Sequence, residues 1–253
     1  MTPTPVDTRL WFRTYHETSA ARARLICFPH AGGSASYYFP VSAALTPEFE
    51  VHAVQYPGRQ DRRHEPLIET IEELADQIHT AMIPVMRGPV AFFGHSMGAV
   101  LAFEVARRFE ESDGAGALAV FASGRRAPSI LRDESARFRD DATIIEEMRA
   151  LGGTDSRVLN DPEMREMVLP AIRNDYRAVE SYRPATSARI AAPIVVLTAV
   201  DDPRTTVTEA QRWHEHTSGG GTIHTFDGGH FYLEQHSSRV IAVIADTLRD
   251  LVA

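Results

Sequence analysis

The sequence predicts an α/β fold, a mainly parallel sheet flanked by helices, and three observations lead to it. Strand-like and helix-like segments alternate along most of the 253 residues. Several strand-like segments are continuous apolar runs, such as Arg24-Leu25-Ile26-Cys27-Phe28 and Pro193-Ile194-Val195-Val196-Leu197-Thr198, as buried strands require. The turn Gly94-His95-Ser96-Met97-Gly98 also stands between an apolar run, Pro89-Val90-Ala91-Phe92-Phe93, and a segment that reads as a helix.

Taken in order, residues 10–15 alternate enough for an edge strand. Residues 24–28 form a buried strand, followed by a helix over 36–45 and a strand over 50–55. The spacing of Ile71, Leu74, Ala75, Ile78 and Met82 predicts a helix over 70–86 with one apolar face. A strand over 90–93, the glycine-flanked turn, its helix and a strand over 118–122 follow. Residues 193–198 and 222–226 give two more strands. Val240, Ile244, Thr247, Leu248 and Leu251 then mark the buried face of a closing helix over 238–252.

The alternation breaks over residues 125–187. Helical stretches are expected there over 141–151, ended by Gly152-Gly153, and over 161–182, opened by Asp161-Pro162. This insertion follows the strand after the turn's own helix, so it should emerge at the carboxyl edge of the sheet, where such folds place their sites. It could simply lengthen the scaffold, but a lid over the site is the preferred expectation. The chain, 1–253, is expected to be one domain with the lid at about 125–187 inside it.

Composition excludes several classes of function. A formal net charge of −8 argues against nucleic acid as the main partner. No apolar run approaches the roughly 20 residues of a membrane span, so no membrane partner is expected. The opening Met1-Thr2-Pro3-Thr4-Pro5-Val6-Asp7 is polar and proline-broken, unlike a secretory signal. The one cysteine, Cys27, sits in an apolar run as a core residue and leaves no intramolecular disulfide, which points to a reducing cytoplasm. No metal is expected: there is no His-Glu-x-x-His, and His214 and His216 would point to different sides of a helix. No cofactor is expected either, since Gly32-Gly33 lacks the spacing of a phosphate loop.

Strand, turn and helix around Gly-x-Ser-x-Gly are the parts of a nucleophile elbow, with Ser96 in strained backbone and the flanking glycines allowing strand and helix to approach. A serine hydroxyl needs a base, itself oriented by a carboxylate. In elbows of this kind the acid and then the histidine follow the serine in sequence, each on a loop after a strand. Of the five histidines after the candidate acids, His214 and His216 lie in a Trp-centred helical stretch, His224 in a strand and His236 beside the last helix. His230 follows Asp227-Gly228-Gly229 in a strand-to-helix loop and is the expected base. Asp201-Asp202-Pro203 offers two acids. Asp202, held extended by Pro203, is preferred, and Asp201 could instead cap the turn or the helix that follows. The oxyanion donors are expected to be the N–H groups of Met97 and of Ala31 in Pro29-His30-Ala31-Gly32-Gly33. His30 precedes the serine, so it is expected to support the site from behind or to touch a neighbouring loop.

The sequence resembles the stand-alone type II thioesterases of polyketide and nonribosomal peptide pathways, members of the α/β-hydrolase superfamily. Phe28-Pro29-His30-Ala31-Gly32-Gly33-Ser34-Ala35, Gln55-Tyr56-Pro57-Gly58-Arg59, Gly94-His95-Ser96-Met97-Gly98-Ala99, Asp201-Asp202-Pro203 and Phe226-Asp227-Gly228-Gly229-His230-Phe231 carry the resemblance, in family order. Ala199 departs from the glycine expected two places before Asp201. The resemblance implies an α/β-hydrolase fold, a triad of Ser96, Asp202 and His230, a helical lid, and removal of stalled or wrong acyl groups from phosphopantetheine arms. The implied partners are acyl-loaded carrier proteins, and, separately from the resemblance, the chain is expected to be a monomer. A small-molecule carboxylesterase would use the same triad, and a non-catalytic binding module would lack a member of it. Met148, Met164, Met167, Leu169 and Ile172 could line an acyl chamber, although the same spacing suits packing. Arg59, Arg62 and Arg63 could meet a phosphate or an acidic carrier domain, or form a solvated loop with local salt bridges.

Overall fold

The computed structural model describes residues 7–84, 88–113, 116–132, 140–153, 160–185 and 187–253. Among them runs a seven-stranded sheet of order β1-β3-β2-β4-β5-β6-β7. Its strands are β1 (Phe12–Arg13), β2 (Ala23–Phe28), β3 (Phe49–Val54), β4 (Val90–His95), β5 (Val120–Ser123), β6 (Ile194–Ala199) and β7 (Gly221–Phe226). All pair in parallel except β1, which is antiparallel to β3. The first helices are α1 (Thr8–Trp11), α2 (Phe39–Leu45), α3 (Ile71–Met82) and α4 (Met97–Asp113). After β5 come α5 (Asp141–Leu151) and α6 (Pro162–Ser181), then α7 (Val207–Gln211), α8 (Tyr232–Gln235) and α9 (Ser237–Leu251). None of the described helices is long and apolar enough to cross a membrane.

The strand expected over residues 10–15 is shorter than the alternation suggests. Asp7 caps α1 by accepting from the Arg9 N–H, and that turn buries Trp11, leaving two residues to pair with β3. Alternate side chains of each strand go to opposite layers. Ile26, Phe28, Phe92 and Val196 pack with α3 and α4, while Leu25, Cys27, Phe93 and Leu197 pack with α2 and α9. The stripe predicted on α3 is buried in full, below a cap in which Thr70 accepts from the Glu73 N–H. Residues 85–86, the expected end of that helix, lie outside the described residues. On α9, Val240, Ile244 and Leu248 are buried, each contributing about 1.5–3 kcal/mol, but Leu251, in the last turn, is exposed.

Between β5 and β6, α5 starts at a capping box on Asp140 and ends at Gly152, with φ +74°. The Asp161 carboxylate caps α6 by accepting from the N–H groups of Glu163 and Met164, with Pro162 in the first turn. The two helices share a small core of Ile144, Ile145, Met148, Leu169, Ile172 and Tyr176, packed against Ala31 at the edge of the main sheet. Residues 133–139, 154–159 and 186 of the expected insertion lie outside the described residues.

Candidate active site

The parallel register brings the carboxyl ends of the strands together, pairing Phe28 with Gly94, His95 with Ser123 and Ala199 with Phe226. Strand β4 ends at His95 and α4 begins at Met97, so the chain reverses through Ser96, at φ +55°. That left-handed backbone is strained for a side chain with a Cβ, and it is held by the Ser96 N–H donating to the Ser123 carbonyl at 2.8 Å. The turn closes so tightly that a Cβ at Gly94 would lie 1.9 Å from the Gly98 carbonyl oxygen. A Cβ at Gly98 would lie 2.0 Å from the Phe28 carbonyl oxygen, so only glycine fits at either position. The Met97 N–H opens α4, where it has no partner within the helix and stands at the positive end of the helix dipole.

His230 sits in the loop after β7, buried, with Nδ1 2.9 Å from Asp202 Oδ2. The other carboxylate oxygen of Asp202 accepts the Arg204 N–H at 2.8 Å, which fixes the acid in its turn. A buried carboxylate at Nδ1 holds the ring in the tautomer that leaves Nε2 as a proton acceptor. Asp201 is exposed, and its N–H donates to the Gly228 carbonyl at 3.2 Å. The structure thus brings Asp202, and not Asp201, to the histidine.

The loop after β2 is pinned peptide by peptide. The Phe28 carbonyl accepts from Tyr38 Oη (2.8 Å) and the Pro29 carbonyl from Tyr56 Oη (3.0 Å). The His30 carbonyl accepts the Gly33 N–H (2.9 Å), which sets the plane of the peptide that carries the Ala31 N–H. The Gly32 N–H donates to Asp175 Oδ2 at 2.8 Å. A cleft of about 330 Å³ opens beside this loop. Ser96, Met97, Ala31 and His230 all line it, together with Met148, Val168, Ile172 and Tyr176 from the insertion.

Of the three methionines expected to contact substrate, the structure brings Met148 to the cleft. Met164 and Met167 are 40% and 67% exposed and lie outside it. The inward face of α6 is set by Leu169, Ile172 and Tyr176, and Met167 falls about 140° round the helix from Ile172. The basic cluster is also not a free surface. Arg59 is buried against Asp175, while Arg62 is buried, pairs with Glu65 and lies 4.3 Å over the Trp11 ring. Arg63 alone of the three is exposed.

Two further imidazoles lie beside the triad, and one of them, His30, lines the cleft itself rather than supporting it from behind. The ring of His30 lies edge-on to Tyr37 and Phe231, both 4.9 Å away, and burial, helped by His230 and Arg59, lowers its pKa to about 3. His95 lies 5.0 Å from the His230 ring and is likewise held well below the usual histidine range, first by burial and then by His230 and His30. Its Nδ1 is 2.9 Å from Ser123 Oγ, which is 2.7 Å from Tyr232 Oη. Ser123, Tyr232 and Asp175 carry no spacing signal that singles them out in the sequence, and His95 fills a position that Gly-x-Ser-x-Gly leaves unspecified. Among the described residues no group of three or more His, Cys, Asp or Glu side chains could hold a metal ion.

Residues 23–248 match the family model described as the thioesterase domain. The chain is 52% identical over 238 residues to a probable cadicidin biosynthesis thioesterase of Streptomyces griseus, covering 94% of this chain and 66% of that protein, just under two thirds of its length. It is 44% identical over 247 residues to thioesterase PikA5 of Streptomyces venezuelae, covering 97% of this chain and 88% of that protein. Among solved structures it is similar to the type II thioesterase BorB from the borrelidin biosynthetic cluster, with 49% identity and a TM-score of 0.88 over 94% of this chain and 98% of that one.

Proposed function

This chain belongs to the thioesterase domain family, and from that premise we propose that it hydrolyses acyl thioesters on the phosphopantetheine arms of carrier proteins in polyketide or nonribosomal peptide assembly, clearing stalled or wrong acyl groups. The observation that carries this reading is the buried His230–Asp202 pair, which opens onto the same cleft as a serine in left-handed backbone.

Ser96 Oγ attacks the thioester carbonyl carbon as His230 Nε2 takes its proton, with Asp202 stabilising the imidazolium. The carbonyl oxygen becomes an oxyanion and accepts from the Ala31 and Met97 N–H groups. Collapse of the tetrahedral intermediate breaks the C–S bond, and the pantetheine sulfur leaves with the proton from His230. Water, deprotonated by the same histidine, then attacks the acyl-serine and releases the free acid. The helical insertion acts as a lid over this chemistry, with Met148, Val168 and Ile172 forming the wall against the acyl chain.

The test is mass spectrometry of a panel of acyl-loaded carrier proteins after incubation with the enzyme. Free phosphopantetheine arms and released acid are expected, together with a loss of about 10⁴-fold or more in kcat for a folded Ser96→Ala variant. Turnover of oxygen esters with no release from any loaded carrier would instead identify a carboxylesterase.

A further inference from the structure

Asp175, on α6, takes no part in the steps above, yet it is 2% exposed and at the centre of a polar network. Arg59, 8% exposed in the loop after β3, meets it with both ends of its guanidinium fork, Nη1 to Oδ2 at 2.7 Å and Nη2 to Oδ1 at 2.9 Å. The same Oδ2 accepts the Gly32 N–H at 2.8 Å. Arg59 Nη1 also donates to the Gly33 carbonyl at 3.2 Å. A carboxylate from the insertion and a guanidinium from the sheet edge therefore grip the two residues that follow Ala31. One turn earlier on α6, Ile172 sits so close to Gly32 that a Cβ there would come within 2.5 Å of its Cγ1.

We infer that Asp175 is a positioning residue, which sets the oxyanion loop and couples its geometry to the docking of α6. The inference rests on the hydrolytic role given to Ser96 and Ala31 above. The physical reason lies in what removing the carboxylate leaves behind. The Gly32 N–H and the Arg59 guanidinium lose their acceptor together, the guanidinium at a buried position, and both must relax to find another. The Gly33 N–H bond that orients the Ala31 peptide lies within that same turn, so relaxation there turns the donor away from the oxyanion. A lid that undocks to admit an acyl arm would carry Asp175 away, and the donor would return to its place on redocking. Bond cleavage then requires a closed insertion.

A pair that merely fastened the insertion to the fold would change stability alone, and three variants separate the two roles. Asp175→Asn keeps an oxygen for the Gly32 N–H without the charge, Asp175→Ala removes both functions, and Arg59→Lys keeps a charge but loses the fork. Each is assayed for kcat and KM on an acyl-N-acetylcysteamine thioester, for inhibition by an alkyl boronic acid whose Ser96 adduct places an oxygen in the oxyanion site, and for Tm. Asp175→Ala is expected to lower kcat about 10- to 100-fold with KM within about threefold, and to weaken the boronic acid by a similar factor. Asp175→Asn should fall between it and the wild type. Wild-type kcat and boronic acid affinity in the folded variants, or a loss confined to KM, would overturn the inference. If Asp175→Ala does not fold, the other two variants decide on the same criteria. If the wild-type protein cleaves oxygen esters and not thioesters, the thioesterase reading falls, and the ordering of the variants on the ester still tests Asp175.

Discussion

The carboxyl edge of the sheet and the helical insertion face each other across one cleft, and they hold their residues in different ways. At the sheet edge the fixing contacts are backbone to backbone. The Ser96 N–H donates to the Ser123 carbonyl, Gly124 to Leu197 at 2.9 Å and Val200 to Phe226 at 2.9 Å, so parallel register alone places the loops that carry Ser96, Asp202 and His230. The insertion is fastened mainly by side chains: its six-residue core, the Arg59–Asp175 fork, Arg204 with Glu147 at 3.1 Å, and Tyr182 Oη donating to Glu104 at 2.6 Å. Backbone contacts survive most substitutions and side-chain contacts do not. The chemistry proposed for this site therefore sits on the part of the molecule held by backbone contacts, and the proposed chamber wall on the part whose contacts a substitution most easily removes.

The largest effect that would break this comparison is at the acid. Asp202→Asn should lower kcat roughly 10⁴-fold, because the histidine loses the carboxylate that fixes its tautomer. Asp201→Asn should stay near wild type, since Asp201 enters the turn through its backbone N–H. Steady-state kinetics on both variants decide the matter. Comparable losses in the two would mean that the aspartates act as a unit and that register alone does not select the acid.

The next effect concerns stability in acid. His30 and His95 are kept neutral by burial at the sheet edge, with pKa values below that of the unfolded chain, about 3 for His30. Between that value and roughly 6.5 the unfolded state binds protons that the folded state refuses, so stability falls as pH drops through this window and is regained above it. Each such histidine costs about 1.4 kcal/mol per pH unit. Urea unfolding at pH 7, 5.5 and 4.5 should show this slope, and His30→Gln should flatten it by one proton. An unchanged slope in His30→Gln would show that the ring accepts a proton in the folded state.

What could be read from the sequence divides along the same line. The order of strands and helices, the elbow around Ser96 and the loops holding Asp202 and His230 follow from local pattern, because register turns local pattern into position. The end of α5 and the start of α6 were legible through Gly152 and Asp161. Which side of α6 faces the cleft was not, since Met164, Met167, Leu169 and Ile172 all suit a helix and only the docking of α6 on Ala31 and Gly32 separates them. Arg59 was misread for a related reason. Its partner Asp175 lies 116 residues away, and nothing local distinguishes a buried arginine with a distant partner from a solvated one.

The smallest effect expected is on acyl preference, and it sharpens the contrast within α6 itself. Val168 and Met148 line the cleft, whereas Met167, one residue from Val168, points away from it. Val168→Phe should narrow the chamber and disfavour longer acyl groups, and Met148→Ala should favour them. Each methylene admitted or excluded by an apolar pocket shifts relative kcat/KM by about 1–3 kcal/mol. Met148→Ala should also lower Tm, since truncating a buried methionine costs about 2–5 kcal/mol. Met167→Ala, at an exposed position, should leave preference unchanged and stability within about 0.5 kcal/mol. The check is a series of thioesters from acetyl to octanoyl, measured as competing substrates so that concentration errors cancel. A shift with Met167→Ala and none with Val168→Phe would mean that α6 turns its other face to the substrate when the acyl arm enters, and that the chamber wall is assembled in a different arrangement from the docked one described here.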